Sequence, residues 1–370
     1  MGKAERAFLL CVGLLFCLGL TMVFDTTAAE AIDRLRVGAV HYALIKQFSY
    51  AIVGGIIATG LFYVGYKSLL ESSGLLLQVF TVLLVLVLIP GVGQQINGAR
   101  RWLSIMGHSF QPSEFVKYLI PVYYIHTYIK KGQHDQSLKS FLMIFVKMAI
   151  PMGLILIEPD NGTIVIIVGA LFVLFIVTRV KWIYFILPLL VLGFIGGAIA
   201  SRMPHVADRI EIYLHPEKDL KGKGHQPYQA KIAAGSGGLF GRGLGQSLQK
   251  FSYLPEARSD YIAAIFAEEF GFCGILFLIG VYMLLGLLGF TMASKASDEG
   301  ASLTIAIFTF LLCFQAFLNL GIVSGLLPSK GTNLPFFSQG GSSLLANFIA
   351  VSIILSASSA KKRPLYPNNF

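Results

Sequence analysis

Charge is what this sequence has least of. Only 13% of its 370 residues are Asp, Glu, Lys or Arg, about half the share of roughly 25% found in soluble domains. With a mean hydropathy of +0.72, that scarcity excludes an ordinary water-soluble globule. Cysteine is scarce too. Cys11, Cys17, Cys273 and Cys313 all fall inside apolar runs, where they behave as small hydrophobes and lack the spacing of a metal site or a disulfide framework. They carry no information about redox compartment. No internal repeat is visible, and no soluble basic region exists through which the net charge of +10 could serve a nucleic acid.

Apolar sequence is what remains, at 55% hydrophobic residues. A bilayer crossing takes about 20 such residues, and runs of that kind recur at 7–24, 49–67, 72–91, 114–129, 139–157, 162–178, 182–200, 261–292, 300–320 and 341–358. The expected fold is therefore an all-α polytopic membrane protein of about ten spans, with residues 1–370 as one integral membrane domain. Placing both termini in the cytoplasm puts Lys3, Arg6, Lys67, Lys130, Lys131, Arg179, Lys181, Lys295, Lys361, Lys362 and Arg363 at inner ends, as the positive-inside rule requires. The first run, followed by "TTAAEA", has the outline of a secretory signal, but its apolar core exceeds the usual length of about 7–15 residues, which favours an uncleaved anchor.

In that topology the outer face receives residues 92–113, 158–161, 201–260 and 321–340, and most of the unusual chemistry falls there. The stretch from 201 to 260 is too long for a plain connection. It contains the tract "GSGGLFGRGLGQS" from Gly235, which lacks the flanking strand and helix of a nucleotide-binding loop. Two readings stand: a flexible turn, or amides that hold an anionic head group together with Lys231, Arg242 and Lys250. In "QPSEFVKYLI", Glu114 and Lys117 stand three apart and share a helix face, either as a structural ion pair or as a pair lining a cavity. In "EPDNGT", Glu158 and Asp160 are likewise helix caps or cavity carboxylates.

The stretch "FSYLPEARSDYIAAIFAEEFG" gathers Glu256, Arg258 and Asp260 at the mouth of an apolar run, with Glu268 and Glu269 inside it. A helix starting near Ser259 would place Asp260, Ala264, Ala267 and Gly271 along one small-residue side suited to close packing. Asp260 is then either an N-cap or a functional carboxylate. Glu268 or Glu269 needs a partner, and Lys117 is one choice. After Asn319 the segment "NLGIVSGLLPSKGTNLPFFSQGGSSLL" is too rich in Pro and Gly for an unbroken helix, and broken backbone at membrane depth is tolerated where it lines a cavity.

Together "GARRWL", "QPSEFVK", "EPDNGT", "QAKIAAGSGGLFGRGLGQS", "YLPEARSDYIAAIFAEE" and "GLLPSKGTNLPFFSQGGSS" resemble, in order and spacing, the SEDS family of polytopic enzymes that polymerise bacterial cell-wall glycan. "LGQSLQKFSYLPEA" with "LPSKG" is closer to the division branch than to the elongation branch. The resemblance implies a peptidoglycan glycosyltransferase in the bacterial cytoplasmic (inner) membrane, with an outward-facing cavity. It also implies lipid II as substrate, and a class B penicillin-binding protein and other division proteins as partners. It matches the family's essential aspartate to Asp260, its cavity glutamate and lysine to Glu114 and Lys117, and its outer arginine to Arg101. The same motifs carry Gln229, Ser236, Lys330 and Ser338 as supporting positions. Departures from the family pattern stand at Arg258 and Ser259, where His-Thr is common, at Gln339 in place of Tyr, and at Ala230 in place of Ser.

Glycan polymerisation needs a base for the attacking 4-hydroxyl and cations for the departing pyrophosphate. Asp260 is the expected base, and Arg101 and Lys117, with either Arg242 or Arg258, are the expected phosphate ligands. A divalent cation at the pyrophosphate is a further option. Two other classes compete: a transporter moving lipid II across the bilayer, whose discontinuous helices would look similar, and a scaffold that only recruits a partner.

Overall fold

A computed structural model describes residues 2–33, 38–96, 98–105, 107–131, 137–186, 190, 213, 215–220, 222, 224–251, 254, 257–328 and 331–360. Among them, the helices in chain order are α1 (Lys3–Asp33), α2 (Gly38–Val64), α3 (Tyr66–Leu88), α4 (Ser113–Lys131), α5 (Leu138–Ile157), α6 (Asn161–Val177), α7 (His225–Ser236), α8 (Ile262–Ser294), α9 (Glu299–Val323) and α10 (Gly341–Ser359). Nine of the ten expected spans coincide with a helix in this set. The remaining one, at 182–200, is described only at 182–186 and 190. Among the described residues, seven helices are long and apolar enough to cross a membrane, and α6 is a shorter apolar helix.

Lipid provides no water to satisfy backbone amides, so the crossing segments close their own hydrogen bonds as helices. Their outer faces carry large apolar side chains, as Ile45, Ile52 and Ile56 do on α2. The interior is packed, with α2 against α10, α8 against α9 and α1, and α3 against α4. α1 is part of this bundle, since Phe8, Leu15 and Val23 are fully buried. Small residues let backbones approach. A Cβ on Gly19 of α1 would fall 2.6 Å from the Phe337 Cα, so the first helix supports the segment that precedes α10.

Two connections differ from plain loops. Between 93 and 110 lies a three-stranded antiparallel sheet, β1 (Gly93–Ile96), β2 (Ala99–Ile105) and β3 (His108–Phe110). Ile96 pairs with Ala99 and Ile105 with His108, which leaves two-residue turns whose second positions, Gly98 and Gly107, have φ of 79° and 81°. Only glycine takes that conformation without strain. The stretch 201–260, in turn, contains helix α7 in its described part.

The second surprise is inside α8, where Gly271 has φ 66° and ψ −164° and breaks the helix. Backbone hydrogen bonds lost at the break are replaced by the glycine-rich tract. Arg242 and Gly243 amides donate to the Glu268 and Glu269 carbonyls at 3.0 Å each, and the Phe272 and Cys273 amides donate to the Gly238 and Leu239 carbonyls at 2.9 and 3.0 Å. A Cβ on Gly241 would sit 2.0 Å from the Glu269 carbonyl oxygen, so this approach demands glycine.

Candidate active-site cavity

The helix carrying the "ARSDY" stretch begins later than its sequence indicates. Ile262 is its first residue, and Tyr261, at the cap position, makes no side-chain capping bond. Asp260 is therefore not the N-cap of α8; it sits in the preceding turn, half-buried. That turn is held through its backbone. Asn319 Nδ2 donates to the Asp260 carbonyl at 2.8 Å and to the Thr332 carbonyl at 2.6 Å, Ser338 Oγ donates to the Ser259 carbonyl at 2.6 Å, and the Gln339 amide donates to the Arg258 carbonyl at 2.9 Å. Gly331 leaves room for the carboxylate, because a Cβ there would stand 2.7 Å from Asp260 Oδ2.

Asp260 and Ser259 form one wall of a cavity of about 560 Å³. Across it lie Arg101 and Trp102 from β2, Glu114 from the start of α4, Asp160, Gln226 of α7 and Gln315 of α9, with Asn333, Gln339 and Ser342 from the segment before and into α10. Lys117 Nζ stands behind this lining, 2.5 Å from Glu114 Oε2 and 2.7 Å from Gln315 Oε1, and is only 1% exposed. It reaches the cavity through those two partners.

The "EPDNGT" turn does both jobs its sequence allows. Asp160 caps α6 by accepting from the Thr163 amide at 3.3 Å, and its Oδ2 also accepts from Thr163 Oγ1, Ser113 Oγ and Gln111 Nε2 at 2.9, 3.1 and 3.2 Å. It also lines the cavity. Arg101 fastens the turn from the other side, Nε donating to the Glu158 carbonyl at 2.9 Å and Nη2 to the Pro159 carbonyl at 2.7 Å. The Glu158 carboxyl differs: it is 1% exposed and neither oxygen has a hydrogen-bond partner among the described residues. Burial pushes its pKa up to about 8; Asp160 adds to the rise and Arg101 opposes it. A buried carboxyl without donors favours the neutral acid.

Several sequence-level expectations need correction. Lys117 does not meet Glu268 or Glu269, because it is consumed by Glu114 and Gln315 at the other side of α9. Glu268 instead accepts from Ser247 Oγ at 2.6 Å and from the Leu248 and Gln249 amides at 3.2 and 3.3 Å, with Arg242 Nη1 at 3.6 Å. Glu269 meets Lys250 Nζ at 2.8 Å, and the same ammonium is 2.7 Å from Asp25 on α1. Buried charges demand such pairing. Lys250 and the amides of Arg242 and Gly243 are thus engaged in fastening the loop to α1 and α8, which displaces the head-group reading of the glycine-rich tract. Neither Arg242, Lys231, Gln229 nor Ser236 lines the cavity; Lys231 is exposed, and Ser236 Oγ donates to the Ala233 carbonyl. Arg258 flanks the cavity through its carbonyl bond to Gln339. Ser338 clamps the backbone beside Asp260 through the Ser259 carbonyl. Glu256 and Lys330 lie outside the described residues.

Sequence reasoning missed Trp102, Gln226, Gln315, Asn319 and Asn333. A signal for two of them exists in "FQAFLNLG": Gln315 and Asn319 are amides four apart, hence on one face of an otherwise apolar helix. Among the described residues no group of three or more His, Cys, Asp or Glu side chains converges as a metal site would.

These features define a class, a polytopic helical membrane protein with a polar cavity walled by a fixed aspartate turn at one end of its bundle. The chain belongs to the FtsW/RodA/SpoVE family of cell cycle proteins, whose profile it matches over residues 5–363. It is 35% identical over 98% of its length to the probable peptidoglycan glycosyltransferase FtsW of Trichlorobacter lovleyi, covering 95% of that protein. It is 38% identical to the protein of the same name from Nitrosomonas europaea, covering 92% of this chain and 89% of that one. A chain solved in a peptidoglycan synthase complex that coordinates polymerization and crosslinking superposes with a TM-score of 0.76 at 25% identity, covering 95% of this chain and 96% of that chain.

Proposed function

We propose that this protein polymerises peptidoglycan glycan from lipid-linked disaccharide units, with Asp260 as general base. The observation that carries the reading is the turn at Asp260, released from helix capping, its carbonyls fixed by three hydrogen bonds from Asn319, Ser338 and Gln339, and facing a polar cavity. The relatives named as glycosyltransferases support it.

In the reaction the 4-hydroxyl oxygen of one sugar attacks the anomeric carbon of another. The bond from that carbon to the pyrophosphate oxygen breaks, the hydroxyl proton passes to Asp260, and polyprenyl pyrophosphate leaves with the bonding electrons. Arg101 is the cation on the cavity wall and the first choice for the phosphate charge. Lys117 acts as a positioning residue, holding Glu114 and Gln315 in place. Arg258, beside the base, is a second phosphate ligand; Lys231 and Arg242 stand farther off.

The chain works as one integral unit in the bacterial inner membrane, both termini cytoplasmic and the cavity outward. The basic residues at the opposite ends of the helices support that orientation. A class B penicillin-binding protein is the proposed partner, in line with the synthase complex whose chain it resembles.

The test is purified protein with its cognate penicillin-binding protein and labelled lipid II. Wild type makes long glycan chains and Asp260→Asn, folded and still binding its partner, makes none. Equal chains from both would remove Asp260 from the chemistry. No chains from either, together with lipid II crossing vesicle walls, would point to a transporter.

A further inference from the structure

Charge is rare in this chain, yet three lysines gather on one surface far from the cavity. α4 starts at the cavity with Glu114 and ends seventeen residues later at Lys131, about 25 Å along a helix. Lys131 therefore sits at the opposite face of the bundle. From there Tyr123, Thr127 and Lys131 form a stripe at four-residue spacing on α4, and Leu138, Leu142 and Val146 form its counterpart on α5. Between the helices lies a groove of about 820 Å³, walled almost entirely by apolar atoms. Lys139 and Lys147 of α5 also line it.

Two of these lysines mark its mouth. Lys131 Nζ donates to Ser140 Oγ at 2.6 Å, tying the end of α4 to the start of α5. Lys139 stands next to that tie and is exposed. The third is deeper: Lys147 is the tenth residue of a twenty-residue apolar helix, about 13 Å below its start, and it too is exposed. An ammonium at that depth is costly unless it is paired or its flexible stem carries it toward the interface. Among the described residues, no carboxylate pairs with any of the three.

We propose that this groove binds an acidic phospholipid from the leaflet opposite the cavity. Its phosphate lies between Lys131 and Lys139, Lys147 reaches up to the same head group from below, and one acyl chain runs down the Leu138, Leu142, Val146 wall. The occupant must be anionic at the mouth and apolar along its length. Free phosphate lacks the chain, and a zwitterionic lipid lacks the net charge. Basic pockets between membrane helices on the positive face are a known kind of acidic-lipid site.

Native mass spectrometry of the detergent-purified full chain tests this with phosphatidylglycerol, phosphatidylcholine of the same acyl chains, and inorganic phosphate as probes. Lys139→Gln/Lys147→Gln spares the Lys131–Ser140 tie, and Lys139→Arg/Lys147→Arg keeps the charge. Each lysine near a head group contributes about fivefold in affinity, so the Gln pair should weaken phosphatidylglycerol retention roughly 25-fold. The Arg pair should retain it, phosphatidylcholine should be indifferent to either change, and excess phosphate should not compete. The proposal is overturned by equal retention of the two lipids on wild type, by unchanged retention in the Gln pair, or by displacement with phosphate. Loss of a co-purifying protein from the Gln pair with lipid retention intact would also overturn it. A thermal unfolding midpoint shared by all three proteins in zwitterionic detergent separates lost binding from lost fold.

Discussion

The side chain of Asn319, in the last turns of α9, donates to the main-chain oxygen of Asp260 at 2.8 Å. The same nitrogen donates to the Thr332 carbonyl at 2.6 Å, so one buried amide joins the aspartate turn to the segment facing it. Asn319→Leu removes both donors and leaves two carbonyls without this partner, at a cost of about 1–3 kcal/mol each when buried. Because Asn319 does not line the cavity, the expected result is a fall in kcat of about ten- to a hundredfold with a small change in KM. Steady-state polymerisation kinetics would reveal it; wild-type kcat in a folded Asn319→Leu protein would show the turn to be held without it.

Lys117 and Glu114 make a second test. Removing one member of a buried ion pair leaves a bare charge and typically costs about 3–5 kcal/mol, whereas replacing both is often close to neutral. Lys117→Met or Glu114→Gln alone should lower the thermal midpoint clearly, and the double variant should recover much of the loss. If the double variant were as unstable as the sum of the singles, the pair would not be coupled.

Glu158 supplies a pH dependence. Its acid is retained in the folded chain up to about pH 8, against an ordinary value of 4.5. Between those values the folded form holds a proton that the unfolded form has released. Stability from this group is therefore full below the ordinary value and declines as pH rises toward 8, by up to about 1.4 kcal/mol per pH unit. Glu158→Gln should flatten that part of the profile of unfolding midpoint against pH. A profile with the same slope in the variant would assign the dependence to other groups.

The apolar runs made the bundle legible, because lipid imposes the helix on every crossing segment. The polar cavity was legible in part: Glu114, Asp160 and Arg101 do line it with Asp260. What the runs concealed depends on contacts between distant segments. Nothing local indicates that Lys250 meets Asp25, 225 residues away, or that Lys117 prefers Gln315 to a glutamate on α8. The sheet at 93–110 carries a hairpin signal in its Asn-Gly pair at 97–98, but the flanking Gln94-Gln95 and Arg100-Arg101 pairs break the apolar alternation that marks a strand. The start of α8 was read too early because Ser259 and Asp260 are good capping residues whose backbone is claimed by α9 and the segment before α10 instead.

The break at Gly271 also bears on how such a chain can diverge. Residues 238–243 and 268–273 are stitched together by main-chain hydrogen bonds, so the chain between them, which carries Asp260, leaves and returns at one place. The stitch tolerates no side chain at Gly241, where a Cβ would meet the Glu269 carbonyl oxygen at 2.0 Å, or at Gly271, where one would meet the Gly241 nitrogen at 2.3 Å. Any relative that keeps this stitch must therefore keep both glycines, and an insertion within either tied segment would shift its register.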